Sequence, residues 1–178
     1  MRWDALFADM EAQLAAERQG EFRAEVAEAS AVERSRLQLA DRLRVHIGEL
    51  VTVHLLSEGP VQLRLQALGA DWMAGYAAGR GVLIPLAAVL GVDDVAPKGQ
   101  AESSVTRQRL GIAAVIRRLA QQRAEVTVHA AGRQVAGGIV LGAGADHFDL
   151  GVRGERARRR SVLFSSVELI RSRDPIQF

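Results

Sequence analysis

The sequence predicts an α+β, mainly β protein: N-terminal helices followed by two tandem small β-barrels, each preceded by a helix. Three observations carry that expectation. A strand-like block recurs after a fixed interval, a helical period precedes each copy, and runs of branched aliphatics alternate with glycine and proline turns. The implied organisation is a helical segment over residues 1–47, a first barrel over 48–92, a linker over 93–105, and a helix plus second barrel over 106–172.

Trp3, Leu6, Phe7, Met10 and Leu14 fall on one face of a helix, with Asp9, Glu11 and Glu17 among the polar positions. Gly20 interrupts this pattern, and a second helical stretch is expected from Glu21 to Val45. Phe22, Val26 and Ala29 form one stripe of it, and Leu39, Leu43 and Ile47 another. Residues 1–33 carry eight acidic groups against three arginines, so the exposed faces here are anionic. Such a face is either plain solvated surface or a partner-binding helix.

From Leu50 the period changes to two. Val51-Thr52-Val53-His54-Leu55 is rich in branched residues, and Glu58-Gly59-Pro60 reads as a turn. Val61, Leu63 and Leu65 then alternate with Gln62, Arg64 and Gln66, which is the pattern of a half-buried strand. Leu68 to Trp72 and Val82 to Leu86 with Val89 complete a set of short strands with tight turns. Asp93 to Ser104 has the composition of a linker. Val105 to Gln122 returns to a helical period, with Leu110, Val115, Ile116 and Leu119 apolar.

The repeat is specific. Val51-Thr52-Val53-His54 recurs as Val126-Thr127-Val128-His129, and Gly69-Ala70-Asp71 recurs as Gly144-Ala145-Asp146, both at an offset of 75 residues. Pro85 to Val89 matches Phe164 to Val167 in pattern at an offset of 78, and the three extra residues fall in the arginine-rich turn around Glu155 to Arg160. Asp71 and Asp146 are expected to bond their own turn backbone.

A helix, an alternating strand, a glycine turn, a second alternating strand and an Asp-containing turn before the third strand together resemble the Sm-like family of small β-barrels. The likeness covers roughly residues 34–92 and 106–172. It implies a non-catalytic binding or regulatory module, with RNA the favoured ligand. Sm-like proteins that hold RNA place an asparagine shortly after the Asp. Here Asp71 is followed by Trp72-Met73-Ala74-Gly75 and Asp146 by His147-Phe148-Asp149-Leu150. The family's nucleotide pocket is therefore not carried over to these residues.

Composition narrows the chemistry. The chain of 178 residues has no cysteine, which removes disulfides and thiolate metal sites. The acidic start lacks a signal-peptide pattern, and no run approaches the roughly 18 apolar residues of a membrane span, so a cytoplasmic protein with no membrane association is expected. The glycines of Gly142-Ala143-Gly144 precede a strand-like run rather than a helix, which argues against a dinucleotide loop. His46, His54, His129 and His147 lack metal-ligand spacing, and no nucleophile motif is present, so neither metal, cofactor nor catalysis is expected.

Charge supplies the functional candidates. Residues 1–104 hold 10 basic and 15 acidic groups, whereas residues 105–178 hold 13 basic and 6 acidic. Arg153, Arg156, Arg158, Arg159 and Arg160 cluster in one turn, and Arg117 and Arg118 lie in a helix without acidic neighbours. Arginine forks bind phosphate oxygens in pairs, so these residues are candidates for nucleic-acid binding. Pairing with acidic residues of the same or a neighbouring chain, and simple solvation, stand beside it. The competing function is a protein-interaction scaffold or homodimer built through Trp3, Leu6, Phe7, Met10 and Leu14.

Overall fold

The computed structural model describes residues 18–23, 25–28, 30–31, 37–104, 109–152 and 158–176. The chain divides into two units, residues 1–38 and residues 39–178. In the first, residues 18–31 are helical wherever described, with Phe22 and Val26 exposed. The helix expected to run on to Val45 is interrupted: residues 37 and 38 are not helical. A separate short helix, α1 (Leu39–Arg44), opens the second unit. Of the stripe Leu39, Leu43 and Ile47, only Leu43 is buried. A left-handed Gly48 (φ 94°) then turns the chain into the first strand.

The second unit is mainly β. Its strands are β1 (Leu50–Leu55), β2 (Val61–Leu68), β3 (Trp72–Ala77), β4 (Arg80–Pro85) and β5 (Val89–Val92), then helix α2 (Ile112–Gln121), β6 (Glu125–Ala130), β7 (Arg133–Ala143), β8 (His147–Val152), β9 (Arg158–Leu163) and β10 (Leu169–Ser172). They join in one open sheet of ten strands, ordered β5-β1-β2-β3-β4-β10-β6-β7-β8-β9. Every described pairing is antiparallel. The two copies are thus halves of a continuous sheet and not two separate ones.

Register reproduces the repeat. Val53 pairs with Val61 and Val128 with Ala136, both partners displaced by 75. The irregularity between Leu65 and Ala67 in β2 returns between Val140 and Gly142 in β7. Val53 pairs with Val92, and Val128 with Ile170, so the last strand of each half returns to its first at the offset of 78. Short 3-10 turns at Leu86–Ala88 and Phe164–Ser166 occupy matching places. The alternation Val61, Leu63, Leu65 buried and Gln62, Arg64, Gln66 exposed is what the period-two pattern requires.

The halves are joined by β4 and β10. Leu83 pairs with Ile170, Val82 with Arg171 and Gly81 with Ser172. The apolar cores cross this seam in both directions. Trp72, Ala74 and Leu83 of the first half pack in the cluster of α2, Val126, Val128, Phe148 and Ile170. Leu169 of the second half is fully buried in the cluster of Leu43, Val53, Leu63 and Met73. Side-chain bonds add to the seam: Trp72 Nε1 donates to Leu110 O at 2.8 Å, and His129 Nδ1 lies 2.9 Å from Glu58 Oε1.

Asp71 departs from its expected role. Its Oδ1 accepts the Ile112 N–H at 2.8 Å, so a turn of the first half caps the helix of the second. The helix needs this, because its N-cap residue Gly111 offers no side-chain acceptor. Gly69 is required just before, since a Cβ there would sit 2.1 Å from Trp72 Nε1. The stretch read as a linker is tied down as well. Arg42 Nε donates to Ala96 O at 2.8 Å and its Nη2 to Val95 O at 2.7 Å, while Arg44 Nε meets Glu102 Oε2 at 3.3 Å.

Because Leu169 belongs to the second half but fills the core of the first, Leu169→Ala is expected to cost about 2–5 kcal/mol. Urea unfolding followed by fluorescence and circular dichroism checks this, and both probes should report one shared transition. Two separate transitions in the wild type would mean that the halves fold independently.

Candidate interaction surfaces

The sheet order ends at β5 on one side and β9 on the other, and among the described residues no further strand pairs with either. Three of the arginines singled out in the sequence form the start of β9. Arg158, Arg159 and Arg160 are exposed, opposite Val152, Gly151 and Leu150 of β8. Val162 is the buried residue of the strand. Arg160 Nη1 donates to Val135 O at 2.5 Å, a contact with a neutral carbonyl, and Ser161 Oγ donates to Asp149 Oδ1 at 2.6 Å. Leu163 closes the strand with 51% of its surface exposed.

Arg117 and Arg118 lie on the exposed side of α2, whose other face buries Ile112, Val115, Ile116 and Leu119. That helix packs on β7, two places from β9 in the sheet order, so the structure sets these arginines on separate elements. Arg153 and Arg156, and the stripe Trp3, Leu6, Phe7, Met10 and Leu14, lie outside the described residues.

The β5 edge has the opposite sign. Leu90 is 65% exposed, and Asp93 and Asp94 follow directly. Asp93 N donates to Thr52 O at 3.0 Å, extending the ladder by one residue. Its carboxylate oxygens lie 2.9 and 3.0 Å from His54 Nε2. Asp94 turns away with φ 54°.

The sequence did not mark a third surface. Arg80 of β4 and Arg171 of β10 come together across the seam with Arg173, in a groove of about 510 Å³ that also includes Glu125 and Gln134. Arg173 Nη1 lies 4.0 Å from Glu125 Oε2. Arg80 is far in sequence from Arg171 and Arg173, and the β4–β10 pairing brings it to them.

Each histidine has a carboxylate partner. Besides the pairs of His54 and His129, His46 Nδ1 lies 2.7 Å from Glu49 Oε2 while its Nε2 accepts the Ala96 N–H at 3.0 Å. His147 Nδ1 lies 2.8 Å from Asp146 Oδ1. That hydrogen bond holds the Asp146 carboxyl below the usual carboxylate value, helped by a bond from its own backbone. It raises the His147 imidazole above its ordinary value, with the charges of Asp146 and Asp149 adding to the effect. Among the described residues, no three or more His, Asp or Glu side chains converge as metal ligands. No described helix is long and apolar enough to cross a membrane.

No family model, curated protein or solved structure matches this chain.

The Asp146–His147 pair has a defined pH window. A raised imidazole value means that its contribution is lost as pH rises through the folded-state value. A lowered carboxyl value means that the contribution is lost as pH falls through that of Asp146. In an NMR titration His147 should lose its proton at higher pH than a free imidazole, and Asp146→Asn should bring it back down. An unchanged titration in the variant would show that the bond is not formed in solution.

Proposed function

We propose that the chain is a non-catalytic tandem Sm-like module that acts as a protein-interaction scaffold, holding partners along its open sheet edges. The observation that carries this reading is the strand order. Two such edges meet inside the molecule, as β4 and β10, while β5 and β9 end the sheet with exposed leucines. A sheet edge presents a row of unpaired N–H and C=O groups, and added strands are a common mode of recognition. The Sm-like reading is supported by the shared five-strand order, the returning fifth strand and the Asp turn before the third strand of each half.

To test it, the full-length chain is compared with a Leu90→Lys/Leu163→Lys double variant in pull-down and cross-linking experiments. The wild type should retain a protein partner, which includes another copy of itself, and the variant should release it while keeping its circular dichroism spectrum. Equal behaviour of the two would reject the edges as binding surfaces.

A second reading, RNA binding, is favoured by the groove of Arg80, Arg171 and Arg173 and by exposed Arg117, Arg118 and Arg158–Arg160. Phosphate contacts are insensitive to base sequence, and each contributes close to one unit of log–log salt slope. On this reading an Arg158→Gln/Arg159→Gln/Arg160→Gln variant weakens binding to unrelated RNAs alike and lowers the slope by about 0.9 per lost contact. On the scaffold reading, the wild type shows no affinity tighter than micromolar even at low salt. An anisotropy titration at two salt concentrations separates the outcomes.

A further inference from the structure

We infer that the groove across the β4–β10 seam binds a small organic phosphate monoester, whose dianionic head meets Arg80, Arg171 and Arg173. The seam register brings these arginines together. Val82 pairs with Arg171 and Gly81 with Ser172, so the next step sets Arg80 directly opposite Arg173. Alternation along each strand puts all three on one face of the sheet. Like charges opposite one another oppose the pairing of their strands, and an anion held between them removes that cost.

Arg171 lacks a partner of its own. Its Nε is buried, and no hydrogen-bond acceptor reaches it. A guanidinium does not escape burial by losing its proton, so a closed-off N–H without an acceptor is costly. Phosphate oxygens meet such a fork in pairs and supply the missing acceptor. Directly opposite Arg171 on β6 stands Thr127, which lines the same groove together with Gln134. Gly137 and Gly138 line it without side chains, where the offset of 75 gives Gln62 and Leu63 in the first half. A Cβ on Gly137 would already stand 3.1 Å from Gln134 Nε2 and 3.7 Å from Thr127 Cγ2. The offset of 78 replaces Arg171 by Asp93, so the matching place in the first half carries the opposite charge.

Charge selects the ligand. Among the described residues that line the groove, Glu125 is the one acid against the three arginines, which leaves two positive charges. A phosphate monoester carries close to two negative charges at neutral pH and matches that balance. A phosphodiester of an RNA backbone carries one and leaves the other arginine charge uncompensated. The groove's volume of about 510 Å³ is in the range of small-ligand sites. Arg171 also borders a second groove of about 630 Å³, lined by Leu50, Pro60, Val61 and Tyr76. Arg64, which borders it too, already donates to Gly48 O at 2.9 Å. An apolar wall with one aromatic ring beside the anion site suits a flat ring esterified to the phosphate.

Isothermal titration of the full-length protein with phenyl phosphate tests this. Saturable, submillimolar binding at one site per chain is expected, with inorganic phosphate weaker. Diphenyl phosphate has more ring surface but a single charge. It should bind at least about tenfold more weakly than phenyl phosphate, the loss expected for one charge-assisted hydrogen bond. Arg171→Gln should lower phenyl phosphate affinity by a similar factor or more. Arg80→Gln and Arg173→Gln, at exposed positions, give the same reading should the Arg171 variant fail to fold. Circular dichroism and melting show which variants are folded. Tyr76→Ala should lower the ratio of phenyl phosphate affinity to inorganic phosphate affinity.

No saturable binding at millimolar phenyl phosphate overturns the proposal. So do equal affinities for phenyl and diphenyl phosphate, folded arginine variants that bind like the wild type, or an unchanged ratio in Tyr76→Ala. An RNA oligomer with a 5′-hydroxyl end that displaces phenyl phosphate assigns the groove to phosphodiesters and overturns it as well. None of these outcomes bears on the reading of the sheet edges, which β4 and β10 do not form.

Discussion

The seam between β4 and β10 is the constraint on which the rest of the molecule depends. Each half contributes five short strands, and one half alone has few positions that can be buried on both sides. The seam solves this by sharing residues. Leu169 completes the core of the first half, and Trp72, Ala74 and Leu83 join that of the second. Small domains bury a low fraction of their surface and are correspondingly marginal, so a shared core adds burial that neither half supplies alone. Asp71 extends the dependence to secondary structure, because the helix of one half begins on a carboxylate of the other.

The same seam organises the charged surface. Pairing β4 with β10 brings Arg80 to Arg171 and Arg173 and forms a basic groove at the centre of the sheet. It also leaves two unlike edges at the ends. The first half ends in Leu90, Asp93 and Asp94, and the second begins its last hairpin strand with three arginines and ends it with Leu163. The two end strands are not counterparts in the repeat, since β5 corresponds to β10 and β9 to β4. Here they differ in sign, which separates the surfaces by electrostatics as well as by position.

Much of this was legible in the sequence. The offsets of 75 and 78 named the equivalent positions, and alternation in β2 gave its buried face, because a strand exposes every second residue to one side. The helical period expected over Val105 to Gln122 identified α2 and its outward arginines, although residues 109–111 are not helical and α2 begins at Ile112. The helix expected over Glu21 to Val45 is broken at residues 37 and 38, where the apolar spacing continues but the backbone is not helical. Leu39 and Ile47, which share a helical stripe with buried Leu43, ended up exposed because α1 stops at Arg44.

The sequence by itself determined the mainly β character, the repeat, its register and the arginine-rich C-terminal half, since all of these follow from local period and composition. It could not determine which strands lie side by side between the halves. That choice depends on contacts between residues about 90 positions apart, such as Gly81 with Ser172, for which local pattern carries no signal. Only the tertiary structure decided that the copies form one sheet, that Asp71 caps a distant helix, and that Arg158–Arg160 occupy an open edge. The physical reason is that strand pairing and shared burial are properties of surfaces, and those surfaces exist only once both halves have folded against each other.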